Sequence, residues 1–416
     1  MTSQATPAVS PPPYIPGASR PAAGSAPAIR RNRRSELAIW WREIDRVLLL
    51  LVLALMAIGA AAVAAASPAS ARRLSTAAIK LDDLHFLLLH MRWLIIGLAA
   101  MFTASMLTRE QARRAGIVLG FAMLVALMLV PVVGSSVNGA KRWLNLGISL
   151  QPSEFMKPAF AIGLAWILSW RLRDPHIPVM LICTGIMVVM SVLLMAQPDF
   201  GSAMLFGGVW FVLMVLAGMP LKRVMLAAVG VIFAVVAAYM FYPNAQHRID
   251  TFFHGASPYD QVGLAAQTLV AGGWRGTGLW LGVRKFGLPE AHTDYIFSVI
   301  GEEFGLVICM IIVILYIAII TRVLMRLVDE EDLFTVLATT GLVAQLGGQA
   351  FINILVNIQL FPSKGMTLPL ISYGGSSTVA LCLGVGFLLA ITRRNPYLRR
   401  DALRGGRARR IGGFGQ

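Results

Sequence analysis

The chain has 416 residues, of which 57% are hydrophobic and only 13% charged, and its formal net charge is +16; its mean hydropathy is +0.71. A soluble protein of this length carries about a quarter charged residues, so an ordinary water-soluble domain is excluded. In a soluble chain such a positive balance would raise nucleic acid as a partner; here the basic clusters flank apolar runs and read as topological markers on the cytoplasmic side of a membrane, with no nucleic acid implied.

In chain order, residues 1–46 open with PPPYIPGASRPAAGSAPA and carry RRNRR. They read as a disordered basic cytoplasmic tail, without the short apolar core and cleavage site of a signal peptide. Apolar runs follow at roughly 47–66, 85–107, 115–134, 153–170, 177–196, 200–218, 222–242, 295–321, 333–358 and 370–392. A helix rises about 1.5 Å per residue and a hydrocarbon core is about 30 Å thick, so such runs have the length to cross it. The expectation is an all-α polytopic membrane protein: about ten transmembrane helices in a domain spanning 47–394, then a basic cytoplasmic tail, 395–416.

An even number of spans puts both termini on one side. TREQARR (108–114), TRRNPYLRR (392–400) and RGGRARR (404–410) place that side in the cytoplasm, with contact to anionic lipid as a secondary consequence. The segments 135–152, 243–294 and 359–369 then lie outside. The longest, 243–294 between helices 7 and 8, is a large extracytoplasmic loop whose Phe252, Phe253, Trp274 and Trp280 suit packing on the membrane surface. Cys183, Cys309 and Cys382 all fall inside apolar runs, with no metal or disulfide spacing.

Ionisable residues at or within spans are candidate functional groups. In QPSEFMKPAF, Glu154 and Lys157 are three apart near a helix start, able to pair on one face. Ser153 is a candidate cap there, and Pro158 would fall in the first turns. The pair is either a structural ion pair or the cationic element of an anion site. Asp199, in AQPDFGSA, reads first as an N-cap. Arg92 either snorkels to the outer interface or faces a polar cavity; His85 and His90 beside it lack a third metal ligand. Lys141 and Arg142, in NGAKRWLNLG, suit lipid headgroups or a phosphate-bearing substrate.

LPEAHTDYIFSVIGEEFG concentrates acids where an apolar run begins. Asp294 or Thr293 can cap that helix; alternatively Asp294 is a general base, with His292 as a second candidate. Glu302 and Glu303, two turns deeper, are read as partners for a cation in another helix. In FPSKGMTLPLISYGGSS, Lys364, Ser372 and Ser376 are candidate substrate-binding groups, packing being the alternative for the small and hydroxyl residues.

Five ordered motifs, NGAKRWLNLG, QPSEFMKPAF, AQPDFGSA, LPEAHTDYIFSVIGEEFG and FPSKGMTLPLISYGGSS, closely resemble the SEDS family (shape, elongation, division and sporulation) over residues 45–400. The last motif is closer to its division branch than to its rod-elongation branch. The resemblance implies ten helices and a peptidoglycan glycosyltransferase of the bacterial inner membrane, acting at the division septum on lipid II. It matches Asp294 to the family's essential acid, despite Tyr295 where HTDF is common. It matches Glu154 and Lys157 to polar-cavity residues, and Arg92 to a basic residue of the second helix. No cofactor is required on this reading; a divalent cation, Mg or Mn, at the substrate pyrophosphate is an option. The implied partners are a class B penicillin-binding transpeptidase and other membrane proteins of the division machinery. Composition alone would suit a lipid II flippase or transporter, or a non-catalytic division scaffold, equally well.

Overall fold

A computed structural model describes residues 33–393 apart from 77–78, 138–139, 146, 148, 254–259 and 364. Lys364 therefore lies outside the described residues. The chain divides into two compact units, residues 1–41 and 42–416. In the first, helix α1 (Arg33–Glu43) begins, with Trp40 and Trp41 in ring contact. Residues 33–43 are thus helical, where composition suggested disorder; SELAIWW supplies helix formers and apolar side chains that a disordered tail lacks.

The second unit is mostly helical. Its elements are α2 (Arg46–Leu74), α3 (His85–Ser105), α4 (Arg109–Val133), the short strands β1 (Ser135–Val137), β2 (Ala140–Asn145) and β3 (Ser149–Leu150), α5 (Pro152–Ser169), α6 (Val179–Ala196), α7 (Phe200–Leu216), α8 (Leu221–Phe241), α9 (Pro243–Phe253), α10 (Gln261–Ala271), α11 (Ile296–Leu327), α12 (Leu333–Asn357) and α13 (Ser376–Ile391). The strands form one antiparallel sheet in the order β1-β2-β3. Among the described residues six helices, α2, α3, α4, α6, α11 and α12, are long and apolar enough to cross a membrane. This makes the chain a multi-pass membrane protein. The connection 243–294 holds α9, α10 and a 3₁₀ turn, Arg284–Gly287.

Small residues let helices approach closely. A Cβ on Gly97 of α3 would lie 2.9 Å from Cys382 Sγ of α13, and one on Gly386 would lie 2.7 Å from Ala104 of α3. Gly116 of α4 is seated in the same way against Ile162 of α5. One end of the bundle carries a set of ion pairs between elements. There Asp45 caps α2 through the N–H groups of Val47 and Leu48 and pairs with Arg322 (2.9 Å) and Arg326 (2.6 Å) of α11. Glu43 pairs with Arg393 at 2.7 Å, and Arg109 with Glu330 at 3.2 Å.

Helix breakers are met by side chains from elsewhere. Pro68 lies inside α2, two residues past the expected end of that span at 66, and lacks the N–H that would bond the carbonyl four residues back. That carbonyl, Ala64 O, accepts Trp280 Nε1–H at 3.0 Å. Pro131 in α4 frees Leu127 O, which accepts from the buried Gln197 Nε2 at 2.9 Å. These substitutions let both helices continue through a proline. α11 breaks at Gly305 (φ 81°, ψ 172°), a conformation open essentially to glycine alone. The glycine-rich segment after α10 enters the break: Thr277 N and Gly278 N donate to Glu302 O and Glu303 O, while Leu306 N and Val307 N donate to Gly273 O and Trp274 O. Irregular backbone at a span is tolerated where protein satisfies its polar groups in this way.

Candidate functional site

α12 carries amides at four-residue spacing, Gln345, Gln349, Asn353 and Asn357, all buried along one face. This stripe organises the site. Gln349 Oε1 accepts from Lys157 Nζ at 3.0 Å, and its Nε2 donates to Thr367 O at 3.0 Å. One turn on, Asn353 Nδ2 donates to Asp294 O at 2.8 Å and to Met366 O at 2.6 Å. Asn357 Nδ2 donates to the same Asp294 O at 3.2 Å, while its Oδ1 accepts from Ser298 Oγ at 2.7 Å and Ser298 N at 3.3 Å. A helix rises about 6 Å over four residues, so Lys157 and Asp294 are tied to successive steps of one ladder.

Asp294 sits half-buried where the 243–294 connection meets α11. The N-cap position is Tyr295, not Asp294 or Thr293 as expected. The turn runs one residue further because Thr293 N and Tyr295 N both donate to Glu290 O, at 3.1 and 3.2 Å. Thr293 Oγ1 is spent on Glu290, and Asn357 of α12 serves the first turn instead. A Cβ on Gly365 would lie 3.4 Å from Asp294 Oδ2, so the carboxylate borders the loop before α13.

Glu154 and Lys157 are both buried, with Lys157 Nζ 2.6 Å from Glu154 Oε1; Glu154 Oε2 is buried without a hydrogen-bond partner among the described residues. Ser153 is not the cap: α5 begins at Pro152, with Gln151 at the N-cap, and Ser153 Oγ pairs with Gln151 Nε2 at 3.1 Å. Proline at a first helical position costs no hydrogen bond, so the helix starts earlier than the serine suggested. Ser376 Oγ accepts from Gln151 N at 3.3 Å and Ser372 Oγ from Leu368 N at 2.8 Å, so both hydroxyls brace the loop that faces Asp294.

His292 is buried, its Nδ1 2.8 Å from Ser70 Oγ, its carbonyl accepting from Tyr373 N at 3.0 Å, and its ring against Phe86 and Tyr373. Burial pushes its pKa down to about 4, against a smaller upward pull from Glu290. Burial also pushes the Tyr373 hydroxyl up, opposed by a hydrogen bond with Trp93.

Other candidates stand apart. Arg142 is spent on the turn between α6 and α7: its Nε donates to Gln197 O at 3.0 Å, a terminal nitrogen donates to Pro198 O, and Asp199 Oδ1 lies 4.0 Å away. Asp199 is an N-cap, accepting from Ser202 N at 3.2 Å. Lys141 and Arg92 are exposed, and no side-chain hydrogen bond or ion pair joins either to the amide stripe among the described residues. Glu303 does pair with a cation, but that cation is Lys285 in the 243–294 connection, not a residue of another spanning helix. Gln349, Asn353, Asn357 and Lys285 were not singled out from sequence; the four-residue amide spacing in an apolar helix was the available signal. Among the described residues no group of three or more His, Cys, Asp or Glu could hold a metal ion. Amides, hydroxyls and one carboxylate around Asp294 do not make a protein-held divalent site.

A family described as Cell cycle protein, comprising the FtsW, RodA and SpoVE types, matches residues 45–397. The chain belongs to this family. Among its FtsW/RodA/SpoVE relatives, the probable peptidoglycan glycosyltransferase FtsW of Caulobacter vibrioides is 33% identical over 90% of this chain and 96% of its own length. The Xanthomonas oryzae protein of the same name is 37% identical over 76% of this chain and 68% of its own. A solved chain from work on structural coordination of polymerization and crosslinking by a peptidoglycan synthase complex superposes with TM-score 0.68 at 26% identity, covering 85% of this chain and 98% of that one. The rod shape determining protein RodA of Thermus thermophilus gives TM-score 0.61 at 28% identity, over 85% and 97%.

Proposed function

We propose that Asp294 is the general base of a lipid II polymerase. The chain is a peptidoglycan glycosyltransferase of the FtsW type, the activity named for its relatives over nearly their whole length. The observation that carries the assignment of Asp294 is the grip of Asn353 and Asn357 on its carbonyl, which fixes a half-buried carboxylate beside the 365–377 loop, one ladder step from Lys157.

On this reading the Asp294 carboxylate removes the proton from the sugar 4-hydroxyl of an acceptor lipid II. The freed oxygen attacks the anomeric carbon of the donor glycan and inverts it. The bond from that carbon to the pyrophosphate breaks, and undecaprenyl pyrophosphate leaves with the electron pair. A leaving group this stable needs no protonation by the protein, only charge stabilisation. Lys157 is the cation best placed for that task. Two of its three N–H groups go to Glu154 and Gln349, leaving one for a phosphate oxygen. Glu154 and Gln349 aim the ammonium; His292, Ser372 and Ser376 hold the surrounding loops. Arg142, committed to the 197–199 turn, is given no role in catalysis.

The proposed setting is the bacterial inner membrane at the septum, with ten spans, both tails cytoplasmic and the Asp294 end outside. The proposed partner is a class B penicillin-binding transpeptidase, supported by the likeness to a chain of a peptidoglycan synthase complex. The test is purified chain with lipid II in detergent, alone and with its cognate transpeptidase. Glycan strands on a gel are expected. Absence of strands with a partner of verified activity would count against polymerisation and favour a scaffold.

A further inference from the structure

The geometry points to Lys285, Glu302 and Glu303 as a positioning device for Asp294, an inference that rests on the general-base reading above. All three side chains are buried. Glu302 accepts from Arg284 N at 2.7 Å and from Lys285 N at 2.9 Å. Glu303 accepts from Trp280 N, from Gly282 N at 3.3 Å and from Lys285 Nζ. Lys285 Nζ also donates to Ala65 O of α2 at 2.9 Å, beside the carbonyl freed by Pro68. Two carboxylates on α11 thus fasten four backbone N–H groups and one ammonium of the segment that leads into the site.

From Lys285 the chain runs as a strap to Asp294. Leu288, Ala291 and Tyr295 pack with Ala65, Ala66, Val299 and Val356 in one buried cluster. The far end is held by Ser70 and Tyr373 at His292, and by Asn353 and Asn357 at Asp294. The near end is held by the buried clamp, with exposed ties from Arg284 Nη1 to Gln267 Oε1 at 3.1 Å and from Arg73 Nη1 to Gly287 O at 3.4 Å beside it.

The break at Gly305 gives this clamp leverage. Residues 296–304 form a half-helix whose direction is not imposed by the lower part of α11. Its orientation is set by the inserted loop and the clamp at one end, together with its packing on α10 at Gly301 and the Asn357 bonds to Ser298, and Asp294 sits at the other end. From Glu303 to Ile296 the half-helix rises about 10 Å, so a tilt of about 6° displaces Asp294 by about 1 Å. A misplacement of about 1 Å can cost about 100-fold in rate. A buried ion pair is a weak source of net stability but a directional one, since its partners tolerate few geometries.

Conservative variants test this. Glu303→Asp and Lys285→Arg keep both charges and alter the length of the clamp. With lipid II and the partner transpeptidase, each is expected to melt like the wild type and co-purify with the partner. Turnover per folded molecule is expected to fall about 10- to 100-fold, with KM within about twofold. In an Asp294→Asn background, followed over long incubations, Glu303→Asp should cost nothing further. Wild-type turnover in folded conservative variants, or an undiminished loss in that background, overturns the inference. If neither conservative variant folds, the neutral double variant Lys285→Met/Glu303→Gln decides. Folded and slow supports the positioning role; folded with wild-type turnover contradicts it. Failure of the general-base reading is seen separately, as wild-type turnover in Asp294→Asn alone.

Discussion

Asn353→Leu tests whether the α12 amides place the catalytic carboxylate. Asn353 is 2% exposed, and its Nδ2 serves both Asp294 O at 2.8 Å and Met366 O at 2.6 Å. Leucine is similar in size and donates nothing. Asp294 O retains Asn357 at 3.2 Å, whereas Met366 O loses this donor. One buried acceptor left unmatched costs about 1–3 kcal/mol, against a total stability of about 5–15 kcal/mol, so the variant is expected to fold with a lowered melting midpoint. The carbonyl of Asp294 then hangs on one longer bond. A shift of about 1 Å raises the barrier by about 2.7 kcal/mol, the equivalent of about 100-fold. The assay is lipid II polymerisation by purified protein with its transpeptidase, beside a thermal melt in the same detergent. Turnover should fall about 10- to 100-fold while KM moves less than about twofold. Turnover within about twofold of wild type in folded protein would refute the reasoning.

Two further substitutions follow from the site. Lys157→Met leaves Glu154 buried without its cation, a change that costs about 3–5 kcal/mol, and should slow polymerisation; Lys157→Arg should recover part of the rate. Equal activity in Lys157→Met, measured on the same gels, removes Lys157 from the site. His292 is held neutral by burial, with its pKa lowered from 6.5 to about 4. Because the folded value is the lower one, its contribution is complete above pH 6.5 and is lost as pH falls through about 4. A shift of this size corresponds to about 3 kcal/mol. Melting curves should therefore lose more stability across that window in wild type than in His292→Gln, and equal losses would contradict this.

Much of the helical framework was legible because it is written locally. The runs that became α2, α3, α4, α6, α11 and α12 are long and apolar without help from tertiary contacts. The breaks were not. The first apolar run reads as ending near 66, yet α2 continues through Pro68 to Leu74 because Trp280 takes the carbonyl that the proline frees. Gly305 gave no signal, since glycine is common in membrane helices and the segment that fills the break lies about thirty residues earlier. Asp294 stood out as an acid at the mouth of an apolar run. Its holders did not, because Asn353 and Asn357 act 59 and 63 residues away in sequence. Arg142 read as a ligand of lipid headgroups or of a phosphate-bearing substrate for the same reason: the carbonyls that occupy it are 55 and 56 residues distant. Spacing exposes pairs on one helix, such as Glu154 and Lys157, and is blind to those closed by the fold.

Polymerisation by this route depends on the proton taken by Asp294. The direct measurement is the turnover of Asp294→Asn on lipid II in the presence of the partner transpeptidase, with melting and partner co-purification recorded on the same preparation. Asparagine keeps the size and the backbone carbonyl that Asn353 and Asn357 hold, but cannot accept the proton at neutral pH. The prediction is folded, partner-bound protein with polymerisation lost. Strand synthesis at the wild-type rate would contradict it.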